Sequence, residues 1–264
     1  MSELLKPRVA IFKTSGINCD AETAYAFDLA GGSAEIVMGE DLRTGEKKLS
    51  DFQILTFPGG FSYGDDLGSG TVAALELDTY LGNQIERFKE KGLILGVCNG
   101  FQILTRSGLL PMGTLGERGA TLDRNDNGKF VSRRVNLSVE PNNCVFLKDL
   151  SSTGPYEFQV AHGEGKLVMP PDIRKQVEVN GQVVFRYVNA EGLPTQEYPA
   201  NPNGSEGAIA GICDPTGRIL GLMPHPERSV SRSQYPNSRR LPESFVPEGL
   251  AIFQNMIEFA RVGV

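Results

Sequence analysis

Apolar residues in the first part of the chain come in short blocks that alternate with longer amphipathic stretches. Short apolar blocks bounded by glycine, proline or charged residues are typical of buried strands. Stretches with apolar residues at helical spacing that end at glycine are typical of helices. We therefore predict strands at Val9–Phe12, Glu35–Met38, Gln53–Phe57 and Leu93–Val97, and helices at Asp20–Ala30, Thr79–Lys91 and Asn99–Arg106. This alternation predicts a parallel sheet with right-handed crossovers.

The second part of the chain has a different pattern, in which strand-like segments are separated by turn residues. We predict strands at Phe130–Val139, Val183–Val188, Ala208–Cys213 and Arg218–Met223. The last two flank Asp214–Gly217, which has the residues of a hairpin turn, so this part adds antiparallel strands to the core. An amphipathic helix is predicted at Pro247–Arg261. The polar segments 189–205 and 228–247 are predicted loops, and 1–264 is predicted to be a single domain.

Composition and charge limit the classes of partner. Charged residues make up 22% of the chain, the net charge is −6 and the pI is near 5.1, so no nucleic-acid-binding face is predicted. No apolar run is long enough to span a bilayer, so no membrane partner is predicted. The first residues lack the apolar core of a secretion signal. We therefore expect a cytoplasmic protein whose four cysteines are free thiols.

The segment Gly96–Gly100 has the strongest local signature of chemistry. A predicted strand enters it and a predicted helix leaves it, which is the pattern of a nucleophile elbow with Cys98 at its apex. The flanking glycines allow the tight turn and close packing that an elbow needs. The helix N-terminus favours a negative charge on Cys98, and the N–H of Asn99 would point at an oxyanion. The alternative is a buried structural cysteine, which the flanking glycines disfavour.

A thiolate nucleophile needs a partner for proton transfer, and the chain has two histidines, His162 and His225. His225 lies in Pro224–Arg228, directly after a predicted strand, where the sites of α/β sheets gather. The following proline favours extended backbone at His225, so Glu227 would face the same side and hold the imidazole. The alternative is a rigid proline turn with a surface glutamate. We predict Cys98 as nucleophile, His225 as base and Glu227 as the orienting carboxylate.

Two glycine-rich segments and one loop give weaker signals. Gly60 follows a predicted strand and could aim its N–H at the oxyanion, although a plain tight turn is the simpler explanation. His162 lies next to a glycine and is predicted to line the site, with a surface loop histidine as the alternative. The loop after the first strand is predicted only to cap the first helix, with Asn18 or Asp20 as N-cap and no chemistry at Cys19.

The motifs around Cys98 and His225 resemble those of class I, triad-type glutamine amidotransferases. The resemblance covers nearly the whole chain and is closest to one branch of that family, the glutaminase subunits of a multi-subunit synthase in purine biosynthesis. The segments that carry it are Gly16–Asp20, Pro58–Asp66, Gly96–Leu104, Ala161–Gly165, Val184–Tyr187, Asn201–Ser205 and Gly221–Arg228. One departure is Gly64–Asp66, where the family often has Gly-Asp-Tyr. The segment 228–247 has no role assigned by the resemblance.

The resemblance implies a fold and a mechanism. The fold is a flavodoxin-like three-layer sandwich, in which a mostly parallel sheet with helices on both faces carries an added antiparallel β segment. In the mechanism, Cys98 attacks the side-chain amide of glutamine and forms a glutamyl thioester, while His225 protonates the leaving ammonia. Backbone N–H groups near Gly60 and Asn99 hold the oxyanion, and Gln102 helps to hold the substrate.

The resemblance also implies partner subunits. A large subunit uses ATP and Mg and receives the ammonia, and a small subunit bridges the two. No metal or cofactor is predicted in this chain, because its cysteines lack zinc-ligand spacing and no phosphate-binding glycine loop opens a helix.

Three other classes of protein share some of these features. Glutaminases that feed GMP, CTP or carbamoyl phosphate synthesis share the elbow and the His-Pro-Glu motif but lack the Asn-Cys-Asp loop and the His-Gly-Glu-Gly segment. Some peptidases and chaperones also have Cys at such an elbow, but a His commonly follows it, whereas Asn99 follows here. A regulatory binding module with an inert Cys98 predicts that iodoacetamide labels this thiol no faster than an exposed model thiol.

Overall fold

The computed structural model of the chain describes residues 6–148, 150 and 154–262. The strands in this part are β1 (Arg8–Lys13), β2 (Ser33–Met38), β3 (Ile54–Phe57), β4 (Leu93–Val97), β5 (Thr121–Arg124), β6 (Val131–Val139), β7 (Tyr156–His162), β8 (Glu164–Val168), β9 (Val183–Val188), β10 (Ile209–Cys213) and β11 (Ile219–Leu222). The α-helices are α1 (Asp20–Leu29), α2 (Gly39–Thr44), α3 (Thr71–Glu76), α4 (Gly82–Lys89), α5 (Asn99–Ser107), α6 (Pro171–Val179) and α7 (Leu250–Val262).

A mixed sheet of nine strands forms the centre of the fold, in the order β2-β1-β3-β4-β11-β10-β9-β6-β7. The first five strands in this order, β2 to β11, are parallel to one another. Every pair from β11 and β10 onwards is antiparallel. Strands β5 and β8 form a separate antiparallel pair. The predicted α/β class with an added antiparallel segment is confirmed, and most of that segment continues the central sheet.

The order of the strands brings distant parts of the chain to one edge of the sheet. All five residues of β4 are buried, and β4 lies between β3 and β11, both parallel to it. The carboxyl ends of these three strands therefore meet at the same edge, which is where ligands bind in open α/β sheets. Gly59, Cys98 and His225 each follow one of these strands by a few residues.

Helices α1 and α7 pack against each other through an edge-to-face contact between Phe27 and Phe253, whose ring centroids are 4.9 Å apart. Both rings are fully buried. The apolar stripe predicted for the last helix supplies this contact, because its residues recur at helical spacing and face the core. The helix itself begins at Leu250 rather than at the predicted Pro247.

Several elements differ from the prediction. The helix predicted at Thr79–Lys91 begins earlier, at Thr71, and passes through one π-helical turn before it ends at Lys89. Gly70 has φ +75° and starts this helix, so a glycine that the sequence pattern presents as loop serves as its N-cap. Strands β5, β7 and β8 and helices α2 and α6 were not predicted, because polar residues interrupt their apolar positions.

None of the helices formed by the described residues has the length and apolar character needed to cross a lipid bilayer. The predicted lack of a secretion signal concerns the start of the chain, and residues 1–5 lie outside the described part.

Candidate active site

Cys98 lies at the turn between β4 and α5, with φ 53° and ψ −106°. A residue other than glycine rarely adopts this backbone conformation, and such strain is typical of a nucleophile elbow. The N–H of Cys98 donates to the carbonyl of Leu222 at 2.8 Å, which ties the elbow to β11. A Cβ on Gly100 would lie 1.9 Å from the carbonyl oxygen of Phe57, so only glycine fits behind the turn. The predicted elbow is therefore present.

His225 and Glu227 form a hydrogen bond between Nδ1 and Oε1 that is 2.5 Å long. Both side chains are almost completely buried. The N–H of His225 donates to the carbonyl of Gln159 at 2.8 Å, and His225 has the extended backbone that the following proline favours. The predicted pairing of the two side chains is observed, but the predicted backbone is not: only His225 is extended, and Glu227 lies in a 3₁₀-helix that begins at Pro226.

Gly59 marks the place where the elbow and the histidine meet. A Cβ built on Gly59 would lie 2.7 Å from Cε1 of His225, 3.0 Å from Sγ of Cys19 and 3.5 Å from Cβ of Cys98. The Nε2 atom of His225 is buried and makes no hydrogen bond of normal geometry with any described residue. The structure thus brings Cys98, His225 and Glu227 together, in the arrangement of a nucleophile, a base and an orienting carboxylate.

Burial alone would lower the pKa of His225, but the charges of Glu227 and Cys98 outweigh it and raise this pKa well above its usual value. A buried imidazole between two anionic groups is stabilised in its protonated form. The site is therefore suited to hold a thiolate beside an imidazolium, and the imidazolium can give its proton to a leaving group.

Backbone N–H groups are available beside Cys98. Gly60 has φ +150°, and its N–H has no acceptor among the described residues, whereas the neighbouring Phe61 N–H donates to Gly16. A Cβ on Gly60 would lie 2.7 Å from the Gly16 carbonyl oxygen, so the close approach of the two loops requires glycine. Asn99 is the first residue of α5, where N–H groups lack helical acceptors. The two predicted oxyanion donors therefore both have N–H groups free for a ligand.

A cavity of about 140 Å³ opens beside Cys98. The predicted residues Gly60, Gln102 and His162 line it together with Cys98. The side-chain amide of Gln102 donates to the carbonyl of Glu164 at 2.5 Å and accepts from Nδ2 of Asn99 at 2.8 Å. The structure therefore places the predicted substrate-binding residues around one small cavity at the nucleophile.

Acidic groups at this cavity were not predicted from the sequence. Asp65 and Glu164 are among the residues that line it. Burial raises the pKa of Asp65, and the nearby charge of Glu164 raises it further. Two carboxyl groups in a small cavity can hold a cationic group of a ligand, such as an ammonium. Both residues lie in segments that carry the family resemblance, which was the available signal for them.

Cys19, predicted to have no role, lies beside the imidazole of His225. It is the N-cap of α1 and makes no capping hydrogen bond through its side chain, so the predicted caps Asn18 and Asp20 are wrong. Asp20 is instead paired with Lys13, at 2.7 Å. Burial raises the pKa of the Cys19 thiol above its usual value, although the nearby His225 partly opposes this. Cys19 reaches His225 because two loops approach closely at Gly59. The spacing of residues in the sequence does not reveal this approach.

Arg228 links α1 to the segment that carries His225. Its Nε donates to Oε1 of Glu22 at 2.9 Å, and its Nη2 donates to Sγ of Cys19 at 3.2 Å. Ligand-type atoms of Cys19, Glu22, His225 and Glu227 all lie within 4.8 Å of one another, which is a spacing that a metal ion could use. The guanidinium of Arg228 already supplies a cation to two of these groups, so a metal ion would have to displace it.

The segment 228–247, to which no role was assigned from the sequence, makes hydrogen bonds that support the backbone of the triad residue Glu227. The side chain of Gln234 accepts hydrogen bonds from the N–H groups of Val230 and Ser231 and donates to the carbonyl of Glu227 at 2.9 Å. Arg232 donates to the carbonyls of Ser238, Leu241 and Pro242 and so holds the segment closed. The segment fixes the position of the orienting glutamate.

Comparison with known proteins agrees with the fold and the site. The family model of the CobB/CobQ-like glutamine amidotransferase domain matches residues 6–260. The chain is 43% identical to the phosphoribosylformylglycinamidine synthase subunit PurQ of Methanococcus maripaludis, over 96% of this chain and 98% of the relative. It is 44% identical to the same subunit of Dehalococcoides mccartyi, over 97% and 98% of the two chains.

A solved structure supports the same family. The structure of PurLQS from Thermotoga maritima contains a chain that matches with a TM-score of 0.74 and 32% identity, over 97% of this chain and 99% of that one. The chain therefore belongs to the CobB/CobQ-like glutamine amidotransferase family, and its place is in the PurQ branch of that family. The resemblance stated from the sequence motifs is confirmed.

Proposed function

We propose that this chain is the glutaminase subunit of phosphoribosylformylglycinamidine synthase. It hydrolyses glutamine to glutamate and ammonia and delivers the ammonia to a separate synthase subunit. The observation that carries the chemistry is the meeting of Cys98 and His225 beside Gly59, with Glu227 bonded to the far side of the imidazole. The PurQ relatives, which match over nearly their whole length, support the choice of this synthase.

The first half of the reaction forms a thioester. The Cys98 thiolate attacks the side-chain amide carbon of glutamine, and a carbon–sulfur bond forms. The N–H groups of Gly60 and Asn99 stabilise the oxyanion of the tetrahedral intermediate. His225 then donates its proton to the amide nitrogen, the carbon–nitrogen bond breaks, and ammonia leaves.

The second half of the reaction releases glutamate. The imidazole of His225, now neutral, takes a proton from water, and the resulting hydroxide attacks the thioester carbon. The carbon–sulfur bond breaks, and the Cys98 thiolate and glutamate are released. Glu227 holds the imidazole in one orientation and stabilises its protonated form throughout, without moving a proton itself.

The receiving chemistry takes place on partner subunits. A large subunit binds ATP and Mg and converts formylglycinamide ribonucleotide to the amidine with the ammonia, and a small subunit bridges it to this chain. The sequence of this chain has no phosphate-binding glycine loop, which supports the placement of the ATP site on the partner. As in other partner-gated enzymes, we expect closure of the synthase to switch on glutaminase activity. The proposed location is the cytoplasm, where these metabolites are made.

The test is release of ammonia and glutamate from glutamine by wild type and Cys98→Ala. Each is assayed alone and with the large and small subunits, formylglycinamide ribonucleotide and ATP. Turnover that rises with the synthase and disappears in the variant supports the proposal. If the rate of turnover does not change when the synthase is added, the chain is still a glutaminase but the assignment to this pathway is wrong. Absence of glutamine turnover under every condition would favour the peptidase or the binding module, which a peptidase assay and iodoacetamide labelling of Cys98 then separate.

A further inference from the structure

The cavity beside Cys98 contains a second imidazole that the mechanism above does not use. His162 ends β7, is 2% exposed and lines the cavity together with Cys98. The carbonyl oxygen of the preceding residue, Ala161, is 3.7 Å from Sγ of Cys98. The end of β7 therefore lies beside the nucleophile, and His162 shares a cavity with it.

The hydrogen bonds of Asn125 fix the tautomer of His162. The Nδ2 atom of Asn125 donates to the carbonyls of Lys129 and His162, both at 2.9 Å, so both of its protons are used. Its Oδ1 atom must then be the group that faces Nδ1 of His162, at 3.1 Å. Because Oδ1 can only accept, Nδ1 carries the proton, and Nε2 presents a bare lone pair.

The Nε2 atom of His162 is buried and has no partner among the described residues. Leaving a buried acceptor without a donor is destabilising, so this position is suited to a ligand that brings an N–H or O–H group. Burial, with a further contribution from the charge of His225, lowers the pKa of His162 to about 3. The imidazole is therefore neutral at physiological pH and remains an acceptor.

We propose that Nε2 of His162 accepts a hydrogen bond from the side-chain amide nitrogen of glutamine and then from the ammonia that leaves. The inference rests on the glutaminase function proposed above. The acidic residues Asp65 and Glu164 also line the cavity and suit the α-ammonium of glutamine, and the amide N–H is then the donor available to Nε2 of His162. The amide nitrogen keeps both of its protons and gains a third from His225, and His162 transfers none.

This contact has a consequence for the product. A neutral imidazole whose proton is held on Nδ1 by Asn125 cannot protonate ammonia at physiological pH. The ammonia beside it therefore stays a neutral amine, which keeps the lone pair it needs to act as a nucleophile on the synthase.

Two substitutions distinguish the roles of the two ring nitrogens of His162. His162→Asn keeps a donor near the position of Nδ1 for Asn125 but removes the acceptor at Nε2. His162→Gln places an amide oxygen near the position of Nε2 and sacrifices the bond to Asn125. Both variants are assayed in the complete synthase with its other subunits, ATP and formylglycinamide ribonucleotide, after their thermal unfolding has been compared with wild type.

The decisive comparison is between two substrates, glutamine and glutamate γ-methyl ester, because the ester has no N–H on its leaving group. We expect His162→Asn to lower kcat for glutamine about 10- to 100-fold and kcat for the ester less than about threefold. His162→Gln should recover most of the glutamine activity. Equal losses on both substrates, or equal defects in both variants, would overturn the proposal. If wild type hydrolyses neither substrate, the proposed function itself fails.

Discussion

Oε1 of Glu227 lies 2.5 Å from Nδ1 of His225, in a place where both side chains are excluded from solvent. The charge of this carboxylate is a main reason that the pKa of His225 is raised despite burial. A residue that orients and stabilises an imidazolium affects both the rate and the pH at which the site works.

We therefore expect Glu227→Gln to lower kcat/KM less than His225→Ala, for which a loss of about 10²- to 10⁴-fold is usual for a general acid or base. Without the carboxylate charge, burial dominates and the pKa of His225 falls. The imidazolium is then lost at lower pH, so the alkaline limb of the pH profile of kcat/KM should move to lower pH. An unmoved limb, or a greater loss in Glu227→Gln than in His225→Ala, would require new roles for the two residues.

Gly59 gives a prediction about packing at the same place. A Cβ here would lie 2.7 Å from the His225 ring and 3.0 Å from Sγ of Cys19, so one of them must move. Small displacements of a catalytic group cost on the order of 10²-fold in rate, and we expect Gly59→Ala to lower kcat by about that factor. Gly154→Ala is the matched control, since no described atom beyond its chain neighbours lies within 4 Å of a Cβ built there. Equal activity of the two variants would contradict this packing.

The backbone at Cys98 predicts an effect on stability that is independent of activity. Its φ of 53° costs a residue with a Cβ about 1–3 kcal/mol, and glycine avoids this cost. Cys98→Gly should therefore be at least as stable as Cys98→Ala in urea unfolding. At Lys175, an exposed position in a regular helix, glycine should be about 1 kcal/mol less stable than alanine. If alanine is more stable than glycine at both positions, the backbone at Cys98 is not strained.

His162 predicts how stability depends on pH. Its pKa is about 3 in the folded chain and near 6.5 when unfolded, so the unfolded chain binds the additional proton between these values. Stability should fall as pH drops from about 6.5 towards 3, by up to roughly 1.4 kcal/mol per pH unit from this residue. His225, whose pKa is raised in the folded chain, contributes only near the upper end of this range, where the unfolded chain begins to lose its proton. Urea unfolding from pH 6.5 to 4 should give a shallower slope for His162→Gln, and identical slopes would contradict the buried neutral histidine.

The elements that were predicted correctly are those whose apolar residues follow the spacing of a buried strand or of one buried helix face. The apolar run of β4 and the glycines around Cys98 follow directly from a strand that enters a tight turn. The extended backbone of His225 itself follows from the proline after it. Both are local properties of the chain, so they can be derived without knowledge of its neighbours.

Features that depend on contacts between distant segments were not predictable in this way. Cys19 is close to His225 because two loops approach at Gly59, and no spacing in the sequence gives that approach. Gln234 donates a hydrogen bond to the carbonyl of Glu227 from a polar segment that has no apolar periodicity. Such a segment is predicted only as a loop, so this contact could not be foreseen. The start of α3 was missed since its N-cap glycine is also a turn residue.

The central claim is that Cys98 carries the glutamyl group during turnover, and two thiols near one imidazole allow a direct test. The complete synthase is mixed with glutamine, quenched in acid within one turnover, and digested for peptide mass spectrometry. The account predicts one added glutamyl group on the peptide containing Cys98, in wild type and in Cys19→Ala, and none in Cys98→Ala. A glutamyl group on Cys19, or labelling that persists in Cys98→Ala, would contradict it.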